Sequence, residues 1–167
     1  MELIIKKIDE WLKTKPTSTP VEITNLLLEI TDIRTLVRYS FDELSGWDAS
    51  EGSFNNIASN RLWDLIMEEY EGEKTEDIEL LELIAAKTKD SVKKHLAIER
   101  VNALRRIAEI GDDQMLLADT AKNAEDYDER ILAVKKITDQ NLLADLAENA
   151  EDLDVQEIAA ERLEELN

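Results

Sequence analysis

The stretch Asp113–Asp128, DQMLLADTAKNAEDYD, returns 26 residues later as Asp139–Asp154, DQNLLADLAENAEDLD. Twelve of the sixteen positions are identical, where unrelated sequences would share about one. Agreement at this level marks an internal duplication. A repeat of this length is one supersecondary unit that buries its apolar face only by stacking on its neighbours.

Each copy holds two helix patterns. The first is Leu142, Leu143, Leu146 and Ala147, mirrored by Leu116, Leu117 and Ala121; this is the stripe of an amphipathic helix. The second is Ile131, Val134 and Ile137, which returns as Glu157, Ala160 and Leu163, widened by Leu132/Ile158 and Ala133/Ala159. Asp113 and Asp139 precede the first helices, and Asp126 and Asp152 open the second. Their carboxylates can accept hydrogen bonds from the unpaired amides of a first turn. The small Ala133 and Ala159 allow neighbouring helices to approach closely.

A weaker copy lies upstream. Ile78–Ala86 resembles the first helix and Asp90–Ile107 the second. Glu99, Arg100, Val101, Ala103 and Ile107 match Glu129, Arg130, Ile131, Ala133 and Ile137 at an offset of 30. The offset then falls to 26, so this helix carries about one extra turn and ends near Gly111.

An aspartate, a short helix with Ala-Val or Ala-Ala spacing, a TDQ-like turn and then LL-x-x-(L/I)-A recur in order. The pattern occupies Asp126–Ala147 and Asp152–Leu163, and loosely Asp90–Ile107. It resembles bacterial HEAT-like repeats and their shorter leucine-rich repeat variant, over residues 76–167 at most. The resemblance implies an all-α fold, a right-handed α-solenoid of stacked antiparallel helix pairs with an irregular helical N-terminal cap. It also implies that the second helices line an inner surface. A ladder of aspartates and basic residues, here Asp90, Asp126 and Asp152 with Lys93, Arg100 and Arg130, would then staple successive repeats. The organisation expected is one helical domain, 1–167. Within it lie a non-repeating aromatic-rich part at 1–72, a divergent repeat at 73–111, a repeat at 112–137, and a repeat with a C-terminal cap at 138–167.

The N-terminal part reads as helices over Leu3–Leu12, Val21–Ile30, Ile33–Leu44 and Phe54–Tyr70, with Pro20 at a first helical position. Seven of the eight aromatic residues fall here, Tyr127 being the exception. Such rings fill a core or cap the end of a stack. Ser45–Ser53, SGWDASEGS, is the most loop-like stretch. Its Trp47 is either a partner-binding anchor or a ring folded back onto the core.

Charge bounds the function. The chain carries 39 acidic and 20 basic residues, net −19, which repels phosphates and anionic lipid. Residues 109–167 alone carry net −13, whereas 87–106 carry net +5. That basic segment is either neutralised internally or forms an acid-binding stripe. The absence of cysteine excludes disulfides and thiolate chemistry. No signal peptide and no apolar run long enough to span a membrane is present, so a soluble, cytoplasmic protein is expected. The single histidine, His95, has no motif partner, and no phosphate-binding, dinucleotide, zinc-protease or nucleophile-elbow motif occurs. No catalysis, metal or cofactor is therefore expected.

The leading expectation is a non-catalytic protein-interaction scaffold. Its candidate partner-binding residues are Trp47, Lys93, Lys94, Arg100, Asp128, Arg130 and Gln156. The alternative is an acidic nucleic-acid-mimicking inhibitor of a basic protein. Direct nucleic-acid binding through Lys87–Arg106 ranks last, because the overall charge opposes it and the stacking aromatics lie elsewhere in the sequence.

Overall fold

The computed structural model describes residues 1–14, 18–41, 54–67 and 75–166. Among the described residues there are ten helices and no strand, which is the all-α class the periodicity predicts. The chain divides into two compact units, Met1–Thr75 and Glu76–Asn167.

The N-terminal unit contains α1 (Glu2–Leu12), α2 (Val21–Leu28), α3 (Ile33–Phe41) and α4 (Phe54–Met67). Helix α4 packs against α3 and α2, and α1 meets α2. Aromatic rings fill this core. Phe54 stacks edge-on to Tyr39 at 5.2 Å and lies 5.4 Å from Trp11, and Tyr39 and Phe54 are buried with Ile8, Leu27 and Leu36. The buried phenol keeps a polar partner, donating to Asp9 Oδ1 at 2.8 Å beside the Arg38 guanidinium, also at 2.8 Å. Burial and the Asp9 carboxylate hold the Tyr39 pKa well above the usual phenol range. Pro20 is the N-cap of α2 rather than its first helical residue. Its extended backbone still directs its carbonyl to the Thr24 amide.

The C-terminal unit contains α5 (Ile78–Lys87), α6 (Ser91–Ile110), α7 (Gln114–Asn123), α8 (Tyr127–Lys136), α9 (Gln140–Asn149) and α10 (Leu153–Glu165). Pairs α5/α6, α7/α8 and α9/α10 pack internally. Helix α8 also lies between α6 and α10, and α7 against α9. The duplicated residues take duplicated places: Leu117 and Leu143 are fully buried, as are Ala133 and Ala159. The two alanines lie in the helix layer α6–α8–α10, where a larger side chain would separate the helices.

All six helices begin on an aspartate. Asp77, Asp90, Asp113, Asp126, Asp139 and Asp152 each accept from one or two amides of the following first turn. Gly111 ends α6 with φ 66°, a left-handed value that a side chain would strain. Helix α6 has 20 residues against 10 in α8, nearly three turns more rather than the one expected. The extension lies at both ends. The position matching the Asp126 cap is Leu96, so no side chain stops the helix there and it runs back to Asp90.

Asp139→Ala should lower the stability of the C-terminal unit by about 1 kcal/mol, and Asp139→Asn by a small fraction of that, because asparagine also caps. Urea denaturation followed by circular dichroism checks this. Equal losses in the two variants would contradict the capping role.

Candidate interaction surface of the repeats

Two of the basic residues singled out in the sequence, Arg130 and Arg100, meet carboxylates of the neighbouring repeat. Arg130 on α8 reaches across to α10, where its Nε and terminal nitrogen lie 2.9 and 2.8 Å from Asp152 Oδ2. The same guanidinium donates to the carbonyls of Ala124 and Glu125. One helix pair earlier, Arg100 on α6 faces Asp128 on α8 at 3.6 Å, and Arg106 contacts Asp126 and Glu129. Arg100 is only 4% exposed. Its charge is therefore enclosed within the stack, compensated by a partly buried carboxylate.

Two further pairs join α7 to α9 and, within one helix pair, α6 to α5. Lys122 on α7 bonds Asp145 on α9, and Arg105 on α6 bonds Glu82 on α5. Four of these contacts join residues 22 or 23 apart in the chain: Glu82/Arg105, Arg106/Glu129, Lys122/Asp145 and Arg130/Asp152. Arg130 and Asp152 belong to the ladder that the family resemblance implies; for the other three pairs the regular spacing is the sequence signal.

Neutral side chains add a further link. Gln114 Oε1 accepts from the amides of Thr138 and Asp139 at 2.7 and 3.1 Å, which fixes the α8–α9 turn against the start of α7. Its repeat equivalent Gln140 donates instead to the Leu166 carbonyl at the end of α10. Gln156 occupies the place of Arg130. Its Nε2 donates to the Ala150 carbonyl at 2.6 Å, reproducing the bond from Arg130 to Ala124.

The remaining candidates sit differently. Lys94 is exposed and Lys93 half-buried on α6. His95 is exposed and pairs with Glu99 one turn on. Trp47 and the rest of Ser45–Ser53 lie outside the described residues. Among the described residues, no group of three or more His, Asp or Glu is placed to hold a metal ion, and no helix is long and apolar enough to cross a membrane.

The charge network perturbs its own groups. For Asp152, partial desolvation works upward but is outweighed by the Arg130 guanidinium and the amides of Asp154 and Val155, which hold the carboxyl below the usual range. Asp145 is lowered chiefly by Lys122, with help from Asn149. Partial burial, a hydrogen bond to Asp154 and the nearby Asp152 and Asp128 push Tyr127 up to about 12. No protein-family model matches the chain, and neither a curated protein nor a solved structure shows significant similarity to it.

Arg130→Met should destabilise the C-terminal unit by about 1.5–3 kcal/mol at neutral pH, the range for hydrogen bonds to charged groups. A carboxylate whose folded pKa is depressed stabilises fully above its unfolded pKa, and that contribution is lost as pH falls through the folded value. The deficit of Arg130→Met should therefore be constant from neutral pH to about 4 and shrink below it. Urea midpoints of both proteins across the acid range check this. A deficit that persists undiminished at the lowest pH would contradict the pairing.

Proposed function

We propose that this chain is a cytoplasmic, non-catalytic protein-interaction module of the HEAT-like repeat type, its C-terminal unit a right-handed α-solenoid that presents a surface to another protein. The observation that carries the reading is the charge ladder. Arg100, Arg106 and Arg130 each cross to the next repeat, holding parallel helices in register along an extended face. A repeat stack of this kind offers surface in proportion to its length rather than a cleft. The partner is a protein and no cofactor takes part.

A second reading, an acidic mimic that occupies a basic nucleic-acid-binding protein, draws on α10. There Glu157 and Ala160 are exposed at the places of the buried Ile131 and Val134 of α8. Exposed carboxylates along that helix give it a polar outer face. The two readings differ in salt dependence, since contacts among exposed charges are screened within a Debye length.

Crosslinking of the tagged full-length chain in its native cells, with the recovered complex then titrated at two ionic strengths, separates them. A stoichiometric partner whose affinity changes less than about tenfold between 50 and 200 mM salt supports the interaction module. A fall of about a thousandfold supports the mimic. Recovery of no protein above background contradicts both.

A further inference from the structure

Helix α6 starts well before its neighbour. The capping position of α8, Asp126, corresponds to Leu96, and the cap of α6 is Asp90, six residues earlier. Asp128 meets Arg100 and the Lys136 ammonium approaches the Ile107 carbonyl, so the two helices run parallel. The first turns of α6 thus overhang the start of α8 by about 9 Å.

Val92, Leu96, Glu99 and Ala103 follow one another at helical spacing along a single row. Ala103 is fully buried in the repeat core, whereas Val92 is 64% and Leu96 38% exposed. Past the start of α8 the row that holds the buried Ala103 continues through the half-buried Glu99 to the exposed Leu96 and Val92. Charge reverses at the same place. Residues 87–95 hold Lys87, Lys89, Lys93 and Lys94 against Asp90, net +3, in a chain of net −19. Lys87 and Lys89 are exposed in and beside the α5–α6 turn, and Lys93 flanks the apolar row.

We infer that the α6 overhang docks an acidic amphipathic helix of a partner protein. The helix continues the α6–α8 seam, with its apolar side on Val92 and Leu96 and its carboxylates toward Lys87 and Lys89. This rests on the protein-binding reading above and names the chemistry of the partner. The occupant follows from continuity with the existing seam and from charge complementarity. Two copies pairing overhang to overhang would bring like-charged lysines together, which costs affinity. An anionic bilayer would meet a strongly acidic protein with two exposed aliphatic side chains on this row, far short of an interfacial helix.

The probes are two synthetic helical peptides of about five turns with the same leucine row, one flanked by glutamates and the other by lysines. Each is titrated into the full-length chain and followed by fluorescence anisotropy at low salt. The glutamate peptide should bind at least about tenfold more tightly than the lysine peptide. Val92→Asp with Leu96→Asp should weaken it by about tenfold or more. Lys87→Glu with Lys89→Glu should weaken it similarly, and Lys94→Glu, on the opposite side of α6, should change it less than about twofold. Circular dichroism melts establish that these surface variants stay folded. Equal binding of the two peptides, no binding up to about 1 mM, or indifference to Val92→Asp with Leu96→Asp overturns the inference. So does self-association that the same double variant abolishes, or adsorption to phosphatidylserine vesicles in place of peptide binding. If the peptides fail but the crosslinked partner is still recovered, the docking surface is wrong and the interaction-module reading stands.

Discussion

Asp152 serves two helices at once. Its Oδ1 accepts from the amides of Asp154 and Val155 and so starts α10, while its Oδ2 holds the guanidinium of Arg130 on α8. Asp126 stands in the same relation, capping α8 with one oxygen and lying near Arg106 of α6 with the other. One carboxylate thus sets both where a helix begins and how that helix is registered against the one before. In stacked-repeat proteins generally, stability is close to a sum of repeat and nearest-neighbour interface terms. A joint shared between the two couples them. Mutating such a residue removes a cap and an interface together, which is why the arginine side is the cleaner place to probe the interface.

The joint also recasts the acidity of the chain. Six aspartates cap α5 to α10, and Asp128, Glu129 and Asp145 are paired across helices. Seven of the eighteen acidic residues after residue 108 therefore cap a helix or pair across helices. Of the eleven others after residue 108, five lie on α10. There Gln156 keeps the bond of Arg130 to its own turn but gives up the guanidinium, and Glu157 replaces a buried isoleucine. The opposite charge gathers at the start of α6, where an unstopped helix outruns its neighbour. The polarity of the C-terminal unit is thus a by-product of where caps and pairs fall in each copy.

Helix starts were legible in the sequence because a capping aspartate before an apolar stripe has a local physical meaning. Asp113, Asp126, Asp139 and Asp152 all fulfil it. The buried Leu117, Leu143, Ala133 and Ala159 were legible from the duplication itself. The length of α6 was not, since the cue was an absence: Leu96 in place of a cap. The fate of Arg100 also needed the third dimension. Periodicity places it on α6, but only the arrival of Asp128 from α8 shows that its charge is enclosed. The candidate surface was legible only in outline. Lys93 and Lys94 lie in the segment where α6 outruns α8, while the apolar Val92 and Leu96 stand out only once the shorter α8 is seen beside them.

A double-mutant cycle on Arg130→Met and Asp152→Asn tests the shared joint most directly. Asparagine keeps the cap, so the cycle isolates the charge pair between α8 and α10. Measured by urea denaturation at neutral pH, the coupling energy should be about 1–2 kcal/mol, within the range for groups in contact. A coupling within about 0.3 kcal/mol of zero, the additivity of independent sites, would contradict it.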